Sequence, residues 1–168
     1  MTLPDLNACD EATFVTRVGG AWEHSPWIAR RAASALPFDS VPALQQAMWE
    51  TVCAASASEQ MALITAHPDL AGKLARARRL TSESTVEQAS AGLDALTSGE
   101  LTTFNDLNAR YHERFGFPFI ICVREHSKPE IVAAFHRRLE NSRDAEIHEA
   151  LEQIRRIANG RIQDLIAA

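Results

Sequence analysis

The segment Phe117-Pro-Phe-Ile-Ile-Cys-Val123 is the most apolar stretch of the chain, and it limits the fold more than any other feature. Pro118 has no amide hydrogen and its ring clashes with the preceding turn, so the run is not a helix interior. One isolated extended run does not make a sheet either. The rest of the chain is written at helical spacing, with caps and stops between apolar stripes. The pattern predicts an all-α, single-domain bundle of about eight helices enclosing one buried extended segment, about residues 116–123.

At 168 residues the chain has the size of one ordinary domain, and we read residues 1–168 as that domain. Gly and Pro number only 7 each, which suits helices. Lys plus Arg is 17 against 22 Asp plus Glu, a net charge of −5, so the chain lacks the broad positive field of a nucleic-acid binder. The local cluster Lys73, Arg76, Arg78 and Arg79 reads as a solvated helix face. Cys9, Cys53 and Cys122 contain no C-x-x-C and read as small apolar residues in a reducing compartment. No apolar run reaches the roughly 18 residues of a membrane span. Met1 to Asp10 shows no basic region followed by an apolar one, and Leu165-Ile166-Ala167-Ala168 is no peroxisomal address. We therefore expect a cytoplasmic protein with neither a membrane nor a nucleic-acid partner.

Helix signals recur along the chain. From about Asp10 to Val18, Phe14, Val15 and Val18 share a face before Gly19-Gly20. Ser25-Pro26 is expected to cap and open a second helix that ends before Pro37. A third starts near Ser40 with Leu44, Met48 and Val52 inward. Ser56-Ala-Ser-Glu59 has capping-box form, and its helix, with Met61 and Ile64 inward, ends near Ala66 because Pro68 disfavours helical dihedrals at His67. Leu70 to Leu80 is a basic helical stretch, and Ser84-Thr-Val-Glu87 is a second capping box for a helix to about Leu96. Ser98 is expected to cap the next, with Leu101, Phe104, Leu107, Tyr111 and Phe115 inward and Gly116 as its stop. Ser127-Lys-Pro129 opens a helix with Ile131, Val132, Phe135 and Leu139. The last runs from about Arg143 to Leu165 with Ile147, Leu151, Ile154, Ala158, Ile162 and Leu165 on one face. Trp22 and Trp27 would either close the core or form an interface.

Three places carry more than packing requires. In His67-Pro68-Asp69-Leu70 the proline forces an imidazole to a helix end, where a pKa of about 6.5 suits proton transfer at neutral pH. The same position also suits a C-cap donor or a plain surface residue. Ser84-Thr-Val-Glu87-Gln88 is explained by capping alone; it would also present helix N–H groups, an acceptor and a donor to a urea-like or amide-like ligand. The ribbon Phe115 to Arg124 carries peptide groups that no helix satisfies, so a neighbouring segment or a flat polar ligand must meet them. There is no H-E-x-x-H, no His/Cys set at zinc spacing, no phosphate loop and no G-x-S-x-G. His136 and Glu140, at i,i+4, read as a surface contact.

At these segments the chain resembles the 2-oxo-4-hydroxy-4-carboxy-5-ureidoimidazoline (OHCU) decarboxylase family. The matching strings are Gly20-Ala-Trp-Glu-His-Ser-Pro-Trp-Ile28, Leu36-Pro-Phe38, Ala66-His-Pro-Asp-Leu-Ala-Gly72 and Ser84-Thr-Val-Glu-Gln88. They continue with Ala91-Gly-Leu-Asp94, Leu107-Asn108, Tyr111 and Arg114-Phe-Gly-Phe-Pro-Phe-Ile-Ile121. The combination of H-P-D-L, S-x-x-E-Q and F-G-F-P-F is what makes the resemblance specific. It implies an all-helical homodimer with no metal and no organic cofactor, acting on a small ureidoimidazoline to give (S)-allantoin and carbon dioxide in the last step of urate degradation. It also implies His67 as catalytic acid/base, with Glu87 beside it. The implied substrate contacts are Pro68, Ser84, Thr85, Val86, Glu87, Gln88, Phe119, Ile120, Ile121, Cys122, Val123 and Arg161.

On that resemblance His67 would exchange a proton with the substrate hydroxyl and the reacting ring carbon. Glu87, assisted by Gln88, would orient the ureido or ring N–H groups. The N–H groups near Ile120 to Val123 would bond the ring carbonyl, Ser84 at the helix start would hold a polar edge, and Arg161 would meet the carboxylate. Two other readings remain open from the residues themselves. One is a hydrolase of a ureido or amide compound, in which His67 and Glu87 activate water. The other is a non-catalytic module that binds a purine-like metabolite.

Overall fold

The structure, a computed structural model, describes residues 1–71, 84, 87, 88, 92, 93 and 95–166. Among the described residues eight helices can be bounded, and no strand occurs. They are α1 (Leu3–Asn7), α2 (Glu11–Val18), α3 (Trp27–Ala32), α4 (Val41–Cys53), α5 (Ala57–Thr65), α6 (Ser98–Phe115), α7 (Lys128–Arg138) and α8 (Arg143–Leu165). Ser84, Glu87 and Gln88 are helical as well. No helix is long and apolar enough to cross a membrane among the described residues. The all-α class and the buried non-helical segment are therefore as expected. The basic cluster Lys73, Arg76, Arg78 and Arg79 lies outside the described residues.

Local hydrogen bonding decides most boundaries. Asp10 caps α2 through Thr13, Ser40 caps α4 through Ala43, and Ser56 and Glu59 close a reciprocal capping box on α5. At the start of α7 the Ser127 N–H and hydroxyl both donate to Glu130 Oε2, at 2.7 Å each. Several expectations need correction. α1 was not expected, although Thr2 and Asp5 form a capping box with Pro4 in the first turn. Ser25 is no N-cap: α3 starts at Trp27 behind Pro26, without a side-chain cap. Thr97, not Ser98, caps α6, because Glu100 stands three residues after Thr97 and returns the bond. Met61, Leu101, Val132 and Ile147 are only half-buried and Leu165 is exposed, whereas Leu63, Ala134 and Ala150 are buried.

The contacts divide the chain into two compact units, residues 1–66 with 155–168 and residues 67–154. In the first, α3 packs on α2 and α4. Phe14 stacks on Phe38 at 6.0 Å, and Trp22, Ile28, Leu44, Met48 and Ile162 are fully buried. Trp27 is half-buried under the Arg31 guanidinium, 4.6 Å from its ring centre. Asn7 mimics a strand partner for Phe38, donating to its carbonyl (2.8 Å) and accepting from its N–H (2.9 Å). The α8 residues of this unit are tied to α4 by Gln45, which donates to the Asn159 carbonyl at 3.0 Å.

The second unit is built around aromatic rings. Tyr111 on α6 lies 4.7 Å from Phe115, 5.8 Å from Phe117, 5.2 Å from Phe119 and 6.2 Å from Phe135. Phe119 and Phe135 stack at 3.6 Å. Each such pair adds about 0.5–1.5 kcal/mol beyond the area it buries. Gly116 ends α6 at φ +79°, a left-handed turn that a side chain would strain. Beyond it, residues 117–123 are all buried and reach a short 3₁₀ turn, Val123–Glu125.

Candidate active site

His67 is the first residue after the α5 cap, Ala66, and Pro68 keeps the helix from continuing. Its side chain is buried, so the plain surface reading does not hold. The turn that carries it is stitched down residue by residue. The Asp69 carboxylate meets His112 Nε2 at 2.6 Å, and the Leu70 carbonyl accepts from Asn108 Nδ2 at 2.9 Å; both partners are on α6. The Ala71 N–H donates to Gln88 Oε1 at 3.1 Å. Ala71 stands at φ +52°, a left-handed conformation that costs a non-glycine residue about 1–2 kcal/mol. That strain is held by the two bonds to the peptide group that precedes it, from Asn108 and to Gln88.

Ser84, Glu87 and Gln88 are buried. Ser84 is itself helical, which places it inside the helix rather than at the N-cap. Thr85 and Val86 lie outside the described residues. Gly92 at φ +70° and the bond from Leu93 N–H to the Gln88 carbonyl (3.0 Å) form the end signature of a helix. The turn thus comes before the expected stop at Leu96. Glu87 Oε1 lies 3.5 Å from Arg124 Nη2, in the 3₁₀ turn that closes the ribbon.

The ribbon residues Phe119, Ile120, Ile121, Cys122 and Val123 are all buried. Its peptide groups find partners on α7 and α8. Arg138 Nη1 donates to the Ile120 carbonyl at 2.6 Å, and the Cys122 N–H donates to Gln153 Oε1 at 2.9 Å. The Cys122 carbonyl accepts from the Glu125 N–H at 3.1 Å and pairs with His126 Nδ1 at 2.9 Å. The Cys122 peptide group is thus spent within the protein. Burial, with help from Glu125 and Glu87, pushes the Cys122 thiol up to about 11, so it stays a neutral thiol at pH 7. None of Cys9, Cys53 and Cys122 forms a disulfide.

Two adjacent residues thus join three sequence-predicted segments. Gln88 binds the turn that carries His67, and Glu87 faces the end of the ribbon. Sequence reasoning missed the residues that hold this arrangement: Asn108, His112, Arg124, Arg138, Glu146 and Gln153. The signal was a polar residue on an otherwise inward stripe. Asn108 sits between Leu107 and Tyr111 on α6, and Glu146 and Gln153 flank Ala150 on α8.

Arg161 belongs to the first unit. Its guanidinium is buried and donates to the Glu23 carboxylate at 2.8 Å and to the Ala21 carbonyl at 3.5 Å. A buried arginine fork matched to a carboxylate is the chemistry expected of it, and here a protein carboxylate occupies one arm. Among the described residues no group of His, Cys, Asp and Glu is arranged to hold a metal ion.

Known proteins share this chain from end to end. The family model for OHCU decarboxylase matches residues 7–163. The chain is 44% identical over 165 residues to the 2-oxo-4-hydroxy-4-carboxy-5-ureidoimidazoline decarboxylase of Halalkalicoccus jeotgali, covering 98% of this chain and 92% of that one. It is 42% identical over 164 residues to the protein of the same name from Haloferax volcanii, covering 98% and 95%. Among solved structures, that of an (S)-allantoin synthase superposes with a TM-score of 0.77 at 30% identity, covering 99% of this chain and 54% of that one. The match takes in the His67 turn, the helical residues Ser84, Glu87 and Gln88 and the ribbon alike, and on it the chain belongs to the OHCU decarboxylase family.

Proposed function

We propose that this chain converts 2-oxo-4-hydroxy-4-carboxy-5-ureidoimidazoline to (S)-allantoin and carbon dioxide. The observation that carries the reading is the joining of the His67 turn and the ribbon through adjacent Gln88 and Glu87, in a chain of this family. Breaking the bond to the carboxylate leaves its electron pair on the ring carbon. The neighbouring ring imine takes that pair and its nitrogen takes up one proton from water, so the substrate carries its own electron acceptor. The hydroxyl then loses its proton and becomes the ring carbonyl, and the carbon bearing the ureido arm gains one. His67 moves these protons, and delivery to one face sets the hand of the product. Such proton transfer contributes about 10²–10⁴-fold.

In this reading Glu87 and Gln88 hold the ureido and ring N–H groups, with Pro68, Ser84, Thr85 and Val86 around them. The ribbon, Phe119 to Val123, supplies peptide donors to the ring carbonyl, where charge develops. Arg161 pairs with the substrate carboxylate. The family match over nearly the whole chain supports a single functional unit. We also propose a cytoplasmic homodimer, on the strength of the family resemblance; light scattering at micromolar concentration tests the assembly.

The direct test is His67→Asn. Freshly prepared substrate is followed by circular dichroism as optically active allantoin appears. The expected result is a loss of about 10²-fold or more in kcat with the fold intact. Normal production of the optically active product would overturn the role of His67. Release of ammonia in place of carbon dioxide would assign a hydrolase instead.

A further inference from the structure

The ribbon is held from outside at the two peptide bonds that flank Ile121. Arg138 takes the Ile120 carbonyl and Gln153 takes the Cys122 N–H. A trans peptide points its carbonyl and its N–H in opposite directions. The Ile121 N–H therefore points away from the carbonyl that Arg138 holds, and the Ile121 carbonyl away from the N–H that Gln153 holds.

Both holders are themselves fixed. Gln153 Nε2 donates to Glu149 Oε1 at 2.9 Å, one turn earlier on α8. A carboxylate only accepts and an N–H only donates, so the Gln153 amide has a single orientation, with its oxygen on Cys122. The Arg138 guanidinium lies 4.4 Å over the Phe119 ring, and its Nε donates to Glu146 Oε1 at 2.6 Å. Glu146 also accepts from the Tyr111 hydroxyl and from Asn141 Nδ2. Arg138 and Glu146 are almost wholly buried. A buried charge pair is weak evidence of added stability but strong evidence of a fixed geometry, because neither partner has water as an alternative.

We propose that Gln153 and Arg138 are positioning residues: by holding the two peptide bonds that flank Ile121, they aim the Ile121 peptide groups at the ligand. This rests on the proposed function, in which the ribbon lines the site. Gln153 gives the cleaner test, since it carries no charge and touches the ribbon at one atom.

Gln153→Met keeps the length and removes the acceptor. At a temperature where circular dichroism shows it folded, we expect kcat/KM to fall by about tenfold or more, with a smaller excess of one allantoin enantiomer. Gln153→Glu with Glu149→Gln exchanges the two side chains: the new carboxylate accepts from Cys122 and from the new amide. This double variant is expected to recover kcat and KM to within about twofold. Wild-type kcat, KM and enantiomeric excess in folded Gln153→Met overturn the proposal. So does a folded double variant as slow as the single one. Should Gln153→Met not fold, Gln153→Asn, which withdraws the acceptor by one methylene, replaces it with the same expected results. A wild-type chain that does not consume the substrate overturns the proposed function instead; losses confined to the variants bear on the positioning role alone.

Discussion

The Gln88 side-chain oxygen accepts the amide proton of Ala71 at 3.1 Å, and Ala71 is held in a left-handed conformation at φ +52°. A strained residue thus sits four places after His67, and a glutamine next to Glu87 secures it. Ala71→Gly removes the steric cost and is expected to raise unfolding free energy by up to about 1 kcal/mol. For a chain of this length that is a rise of about 2–4 °C in melting temperature. Turnover should fall at the same time, because a glycine lets the turn that carries His67 leave its geometry. A lower melting temperature would show that the turn stores no strain.

Glu23 and Arg161 form a buried ion pair in the first unit. Replacing one partner leaves the other charged and away from water. Glu23→Leu is expected to cost about 3–5 kcal/mol, read from denaturant unfolding. A cost under about 1 kcal/mol would place the guanidinium in water, against the burial described.

The Arg138–Glu146 pair invites a double-mutant cycle. Arg138→Met and Glu146→Leu should each cost about 3–5 kcal/mol. The double variant should cost less than their sum by at least about 1 kcal/mol, because it removes both buried charges together. Strict additivity would mean that the two side chains do not interact.

Two exposed carboxyls give the stability a defined dependence on acid. The hydrogen bond from Arg31, then those with Ser56, hold the Glu59 carboxyl down to about 2. Lys128 and Thr97 do the same for Glu100, also to about 2. In the unfolded chain both titrate near 4.5. Between those values the folded state binds fewer protons than the unfolded state. Their stabilisation is therefore complete above pH 4.5 and lost as pH falls toward 2. The wild type should lose stability faster than Glu59→Gln/Glu100→Gln across that window, and the gap between them should be constant above it. Parallel melting curves throughout would show that neither carboxyl is held.

Most of what could be read ahead of the structure is decided by local hydrogen bonding, although the local boxes at Thr2–Asp5 and Thr97–Glu100 were missed. The capping box at Ser56–Glu59, the helix opening at Ser127-Lys-Pro129, the stop at Gly116 and the exclusion of helix at Pro118 all follow from residues within four places of each other. Ser84 shows where that logic fails. Its S-x-x-E spacing is right for a cap, yet the residue is itself helical, and the left-handed turn at Gly92 comes before the expected stop at Leu96. Arg138, Glu146 and Gln153 were not legible for another reason. Periodicity assigns charged and amide residues to the surface, and their burial depends on partners that stand 8–35 residues away in the chain. The candidate site was found as three segments by their departure from helix. How Gln88 and Glu87 join them is a tertiary fact that no spacing rule contains.

The course of the ribbon is dictated by side chains that are not its own. Its residues between Pro118 and Val123 contribute bulk to the interior, while Arg138 and Gln153 set where its peptide groups lie. A surface made of main chain has no alphabet, so its spelling is free wherever volume is kept. Exchanges such as Ile120→Val or Ile121→Leu should pass almost unnoticed. The vulnerable letters stand elsewhere, at two helix positions, Arg138 and Gln153, that never have to meet the substrate.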